Sequence, residues 1–418
     1  VDIDDYLAID DETGTLIHLH LHYTLELGEK QLKGYDVPWE EQILSTRIYD
    51  EQHQIYTAEP NIEIILLMVR ASLKIRTRDR MKSLLGGDYF KGDFIREFRW
   101  LKERIDLERV RELSETLLSP KASELVLAAI ADEKKLPKII GMGNAIAASL
   151  QRYRRYHPLA ATGLRWQREG ENLLYRVLRK YGEAAIATRR VPPQGGMIVA
   201  ILGADGSGKS TVKAAIAQCL SQKLDVLPIY LGSGDGKASL LRMPLIWATR
   251  SRKKSNKQAA FQKSPDSKKS KSRLSKFVKI LWAITLVFEK KDKLKKAQIA
   301  RERGLIVMCD RYPQIQFLGF NDSPLLGEGF PRSLQQWEFN QYQFMSEKTP
   351  PDLVIKLNVT PEIALSRKPE SPAEVVKQKV SAIQSLQFPP QTVVVNIDAT
   401  KSLDDVILDV KQAIWENL

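Results

Sequence analysis

Between Gly203 and Thr211 the chain reads Gly-Ala-Asp-Gly-Ser-Gly-Lys-Ser-Thr, which is a glycine, four residues, then Gly208-Lys209-Ser210. Residues of these types at this spacing hold phosphate. Gly203, Gly206 and Gly208 let the backbone curl so that successive amides point inward, and a helix starting behind them adds its positive end. Asp205, Ser207 and Thr211 stand in the same nest. Lys209 would bridge the β and γ phosphates of ATP, and the Ser210 hydroxyl would ligate Mg2+. A second carboxylate is needed for the metal's water shell. Asp310 stands where one belongs, at the end of the apolar run Leu305 to Cys309, although a plain strand-end cap has the same spacing. The planar fork of the neighbouring Arg311 suits a phosphate, with a surface ion pair as the simpler alternative.

The elements that must position these groups follow from the surrounding pattern. Met197 to Leu202 is a continuous apolar run leading into Gly203, and Thr211 to Leu220 has helical character. Further β-rich runs at Val226 to Leu231, Leu305 to Cys309, Leu353 to Leu357 and Thr392 to Ile397 alternate with helical stretches. That alternation predicts an α/β fold, a parallel sheet covered on both faces. A Pro and Gly cluster from Val191 to Gly196 separates this half, 195–418, from an N-terminal one, 1–190. In the N-terminal half, Ile3 to Ile9 and Leu16 to Leu27 flank the turn-like Asp10 to Gly14 and predict a hairpin. Pro60 to about Lys180 is mainly helical, so an N-terminal α+β domain is expected.

Four segments, in order, resemble thymidylate kinase: Gly203 to Thr211, Asp310-Arg311-Tyr312, Pro351 to Leu365, and Ile397-Asp398-Ala399 with its closing helix. Gly304, six residues before Asp310, matches as well. The resemblance covers about half of the chain. It implies a P-loop kinase fold with a five-stranded parallel core, and transfer of the ATP γ-phosphate to a small acceptor. It also implies that Asp205 faces the acceptor and that Arg311 contacts the acceptor's phosphate or the transferring group. Arg367, with Lys368, Lys377 and Lys379 nearby, would supply lid cations, and backbone at Asp398 and Ala399 would border the adenine. The expected catalytic set is therefore Lys209, Arg311, Asp205 and Arg367, with Ser210 and Asp310 for Mg2+.

Two elements depart from the family. Tyr230 to Gly236 stands in place of an Arg-Glu-Pro-like acceptor element, and Phe288-Glu289 in place of an Asp-Arg pair, with Lys290 and Lys291 as adjacent cations. Gly232 to Gly236 either cradles a second phosphate or sugar hydroxyls, or is a flexible strand exit. The acceptor stays open between a nucleoside monophosphate and a sugar-type molecule. A non-catalytic ATP-dependent switch and a bifunctional nucleotidyltransferase and kinase are the alternatives.

The second of these rests on Asp2-Ile3-Asp4, two carboxylates on one strand face, which resembles part of the nucleotidyltransferase signature. The following strand places His18, His20 and His22 on one face, where a neighbouring pair could chelate a transition metal or simply pack as polar residues.

Composition limits the remaining classes. The chain has 418 residues, 43% apolar and 28% charged, enough for two domains with ordinary cores. Its net charge of +13 is concentrated: twelve Lys and Arg against one acid, Asp266, lie between Arg250 and Lys279, leaving only +2 elsewhere. A surface shaped for nucleic acid is thereby excluded. The stretch at about 250–276 is expected to be a mobile basic insertion, either merely solvated or making weak contact with an acidic partner, a phosphorylated substrate or an anionic membrane surface. Phe277 to Phe288 is apolar nearly all round, which suits burial against the sheet or insertion into a membrane surface. Cys219 and Cys309 lie in apolar segments and read as reduced packing thiols, so a cytoplasmic setting is expected. No apolar run reaches the length of a membrane span and the start does not read as a signal peptide. The chain begins at Val1, so residues ahead of it are expected, and a homodimer is left open.

Overall fold

The computed structural model describes residues 3–29, 32–74, 92–132, 139–180, 187–232, 268–320 and 322–418. Asp2, Gly234, Gly236 and the basic stretch up to Ser267 lie outside the described residues. Two compact units form, one of Val1–Tyr6 with Leu19–Leu174, the other of Leu7–His18 with Tyr175–Leu418.

The N-terminal elements begin with the expected hairpin, β1 (Ile3–Ile9) paired with β2 (Leu16–His22). Its turn is closed by the Thr13 N–H donating to Asp10 Oδ1 at 2.7 Å, with Gly14 left-handed at φ +62°. Two more antiparallel pairs follow, β3 (Glu26–Glu29) with β4 (Leu32–Asp36), and β5 (Ile48–Asp50) with β6 (Ile55–Thr57), separated by α1 (Glu40–Ser45). The helices are α2 (Pro60–Leu73), α3 (Gly92–Lys102), α4 (Leu107–Leu117), α5 (Pro120–Ala131), α6 (Ile139–Ser149) and α7 (Pro158–Lys180). α2 starts on a proline, which costs no hydrogen bond in a first turn, and buries Ile62, Ile64, Ile65, Met68 and Val69 completely. A helix apolar on so many sides belongs at the centre, and α3, α4, α6 and β3 pack around it.

In the second unit the order is β7 (Met197–Gly203), α8 (Lys209–Leu220), β8 (Val226–Tyr230), α9 (Lys268–Glu302), β9 (Ile306–Asp310) and α10 (Arg332–Lys348). β10 (Leu353–Asn358), α11 (Pro361–Arg367), α12 (Ala373–Ser385), β11 (Val393–Asp398) and α13 (Leu403–Glu416) complete it. Five strands form one sheet in the order β11-β10-β7-β9-β8, every pair parallel, as the five apolar runs predict. β7 is central and buried throughout. Val199 and Ile201 join the core layer on one face, with Val212 and Ile216 of α8 and Val410 of α13. Ile198, Ala200 and Leu202 join the layer on the other, with Leu294 of α9 and Met345 of α10. Sides alternate because successive strand residues point to opposite faces.

Three details refine the expectations. The tip of the hairpin, Leu7–His18, packs with the second unit, not with the N-terminal part divided off at residue 190. Lys411 Nζ donates to the Gly14 carbonyl at 2.7 Å, Gln412 Nε2 to that of Asp11 at 2.9 Å, and Ile9 enters the sheet's core. The apolar stretch from Phe277 to Phe288 buries Ala283, Leu286 and Val287 but leaves Phe277 and Phe288 about 60% exposed (62% and 61%), so only one side of α9 serves the core. Among the described residues no helix is long and apolar enough to cross a membrane.

Candidate functional site

β7 ends at Gly203 and α8 begins at Lys209, so the connecting loop lies at the carboxyl edge of the sheet with a helix N-terminus behind it. Gly206 and Gly208 take φ of +88° and +85°, left-handed conformations that favour glycine. A Cβ on Gly203 would collide with Ser207 Oγ and lie 3.1 Å from the Leu357 carbonyl, so a larger residue would displace the Ser207 side chain. Ser207 is 2% exposed, and its hydroxyl has no hydrogen-bond partner among the described residues. Such an orphan costs about 1–3 kcal/mol, which a bound phosphate oxygen would offset. Lys209 donates to the carbonyls of Gly203 and Ala204 at 2.8 and 2.7 Å. Burial pushes its ammonium down to about 8, against the opposing attraction of Asp205. Ser210 and Thr211 are exposed on the first turn of α8.

Asp310 closes β9 and is 6% exposed. Its Oδ2 accepts from Lys213 Nζ at 3.0 Å. Lys213 follows Lys209 by four residues on α8, the spacing that puts two side chains on one helix face. That spacing is the sequence signal for Lys213, which the motif alone does not include. Both Lys213 and Lys293 lie 6.0 Å from the centroid of the Tyr230 ring.

Arg311, directly after the strand, is left-handed at φ +69°, and Asp322 at φ +62°. Both conformations are uncommon for non-glycine residues. The two meet, with a guanidinium nitrogen of Arg311 at 3.5 Å from Asp322 Oδ2. They share a cavity behind the loop with Gly203, Asp205, Lys290 and Lys379. Lys290 is 2% exposed, and its ammonium donates to Asp322 Oδ1 and to the Tyr342 hydroxyl, both at 3.1 Å. Burial lowers its pKa, and the Asp322 charge opposes that fall. Glu338, fully buried on α10, accepts the backbone N–H groups of Leu325 and Leu326 at 2.9 and 2.8 Å and so fixes the segment after Asp322.

Lys379 of α12 lies 2.5 Å from Asp205 Oδ2. Burial alone would raise the Asp205 carboxyl, but the hydrogen bond and charge of Lys379, with Lys209 and Arg311, hold it below its ordinary value. Of the expected lid cations it is thus Lys379 that meets the loop. Arg367 instead donates to the Ala399 carbonyl at 3.0 Å, and Lys377 lines a separate cleft with Asn358, Thr360, Asp398 and Thr400.

In the first unit, Asp4 accepts from the Tyr23 hydroxyl at 2.9 Å, and Asp5, not Asp4, pairs with His20 Nδ1 at 2.6 Å. The rings of His20 and His22 are 4.4 Å apart.

The chain matches no protein-family model. Over 199 residues it is 30% identical to the "Uncharacterized ATP-binding protein YghS" of Escherichia coli (strain K12), covering 46% of this chain and 81% of that protein. Over 235 residues it is 29% identical to the "Uncharacterized ATP-binding protein YghR" of the same strain, covering 52% of this chain and 86% of the relative.

Proposed function

The chain belongs to the family of the Escherichia coli ATP-binding protein YghS, and from that premise we propose that it binds ATP at the Gly203–Thr211 loop and transfers the γ-phosphate to a small acceptor. One observation carries the transfer: the phosphate loop shares residues with a charged cavity. Gly203 and Asp205 belong to both, and the cavity wall beyond them bears Arg311, Lys290 and Lys379 beside Asp205 and Asp322. A nucleotide switch needs the loop alone. A phosphotransferase needs a second compartment against the γ-phosphate, and this geometry supports one.

In this reading Lys209 leaves the loop carbonyls to bridge the terminal phosphates, and the Ser207 hydroxyl gains the partner it lacks. Ser210 and Asp310 fit a divalent ion, as a hydroxyl and a carboxylate at adjoining strand and helix ends; Mg2+ there would draw charge from the phosphates. The acceptor's hydroxyl lies toward Asp205 and Asp322, whose Oδ2 has no hydrogen-bond partner among the described residues. The attacking oxygen, a sugar's hydroxyl or a nucleotide's phosphate oxygen, bonds to the γ-phosphorus as the bond to the ADP oxygen breaks; a hydroxyl gives up its proton to the Asp205 or Asp322 carboxylate, and Arg311 and Lys379 offset charge on the moving group. A wall of paired charges suits a polar acceptor, of sugar or nucleotide type. The two cysteines are free thiols, which agrees with a cytoplasmic setting.

The test is ADP release from Mg-ATP across dTMP, other nucleoside monophosphates, sugars and sugar phosphates, with Lys209→Ala as the control. Acceptor-stimulated release that falls by at least about 10²-fold in the variant is expected. Nucleotide binding with no stimulation by any acceptor would replace this reading with the switch.

A further inference from the structure

The hairpin of β1 and β2 inverts the usual order of a half-buried strand. Antiparallel strands ordinarily turn apolar side chains toward cover and polar ones toward water. On β2 it is Ile17, Leu19 and Leu21 that are open, 51, 55 and 38% exposed, while His18 and His20 between them take the more sheltered face. Imidazoles held partly out of water need a polar partner there.

The neighbouring strand supplies a carboxylate. Asp5 of β1 lies 2.6 Å from His20 Nδ1, and one donor atom each from Asp5, His18 and His20 comes within 4.8 Å of the other two. Among the described residues no other three His, Cys, Asp or Glu side chains converge in this way. His53 and Asp50 meet at 2.8 Å but gather no third such group among the described residues.

Around a four-coordinate Zn2+, with donors at about 2.0–2.1 Å, neighbouring donor atoms stand about 3.3 Å apart. The three groups are thus within about 1.5 Å of a ligand set. Rotation of side chains closes that gap, since those of Asp5 and His20 are 31 and 33% exposed. With a cation bound, the His20 Nδ1 lone pair faces it and the neutral ring carries its proton on Nε2. Donor type then selects the ion. Mg2+ and Ca2+ take oxygen ligands, whereas Zn2+ and its transition-metal neighbours take imidazole nitrogen readily.

We infer that the hairpin binds a divalent transition cation of the Zn2+ class through Asp5, His18 and His20, joining β1 to β2. All three ligands belong to one pair of hydrogen-bonded strands, so the site needs nothing beyond the hairpin. It holds or fails independently of the kinase reading.

The test is titration of the full chain, free of any affinity tag, with Zn2+ in competition with a chromophoric chelator and with Mg2+ in large excess. One Zn2+ binds per chain and Mg2+ does not displace it. His18→Ala, His20→Ala and Asp5→Asn each weaken binding by about tenfold or more, the least that loss of even a supporting outer-shell group costs a metal site. His53→Ala and Cys219→Ser leave it unchanged. Zn2+ also slows amide exchange in β1 and β2 and raises the thermal unfolding temperature, and neither effect appears in the His20→Ala protein. Thermal unfolding of each variant in EDTA verifies that it is folded. The inference is overturned if no Zn2+ binds, if Mg2+ displaces it, or if binding is indifferent to the three ligand substitutions or lost with His53 or Cys219. Weakening by the histidine changes but not by Asp5→Asn would leave a bare imidazole pair and reject the assignment.

Discussion

The ammonium of Lys213 lies 3.0 Å from the carboxylate of Asp310, tying the helix that follows the phosphate loop to the end of the neighbouring strand. Both side chains are mostly buried, 19% and 9% exposed, so each relies on the other. In the proposed kinase the same carboxylate serves the metal, and Lys213 must yield part of its contact when the metal enters. Asp310→Asn therefore acts twice. It strands a mostly buried cation, with an expected loss of about 1–3 kcal/mol of stability, and it weakens Mg-dependent turnover by roughly 10²-fold or more. Adding Lys213→Met restores much of the stability in denaturant titrations and none of the turnover. Recovery of both would show that Asp310 has no part beyond the ion pair.

The pairing of Asp205 with Lys379 gives a pH signature. Lys379 holds the Asp205 carboxyl below its ordinary value although burial pushes the other way. Because the folded value is depressed, the pair's stabilisation is present above the ordinary carboxylate pKa near 3.8 and is lost only as pH falls through the depressed value. Lys379→Ala leaves burial as the dominant influence and moves the pKa upward. Its pH–rate profile should then show an acid limb at higher pH than the unaltered protein's. Superimposable profiles would mean that Asp205 does not face the acceptor.

Ser207 offers opposite signs for stability and binding. Its hydroxyl is buried without a partner, so Ser207→Ala should leave the nucleotide-free protein as stable as before, or more stable by up to about 1–3 kcal/mol. Nucleotide affinity should fall in the same variant, as seen by equilibrium titration. A loss of stability without nucleotide would indicate that the hydroxyl already has a partner.

The strands and the phosphate loop could be read from the sequence because each is a local pattern: five apolar runs bounded by turns, and glycines at fixed offsets from a lysine. Elsewhere local pattern misleads. Lys356 interrupts the apolar run of β10, yet it is buried because its ammonium reaches the Gln384 and Leu386 carbonyls at the end of α12, at 3.0 and 2.6 Å. Glu289-Lys-Lys-Asp292 has the composition of a solvated helix face, but Lys290 is among the largest fully buried side chains. Asp322 sits in no run or motif, and only the tertiary fold brings it to Arg311 and Lys290. The hairpin tip is held in the second unit by Ile9, Leu7 and Leu16 and by hydrogen bonds to the backbone carbonyls of Gly14 and Asp11, and the carbonyl contacts carry no residue-type signal.

Lys290 and Asp322 are where acceptor choice is most exposed to test. Their side chains are 2% and 1% exposed, and the lysine also donates to Tyr342. Removing one partner of a buried pair leaves the other uncompensated, at a typical cost of about 3–5 kcal/mol. Lys290→Met should fall at the low end of that range, because Arg311 remains 3.5 Å from Asp322. Asp322→Asn keeps a side chain that tolerates the left-handed backbone at this position, and the double variant should cost less than the sum of the two. A merely structural pair would stop there. If instead the pair borders the acceptor, Lys290→Met raises KM for the acceptor more than KM for ATP, in steady-state kinetics measured well below the variant's unfolding temperature. Equal changes in the two KM values would remove Lys290 and Asp322 from acceptor recognition and leave Arg311 and Asp205 to carry it.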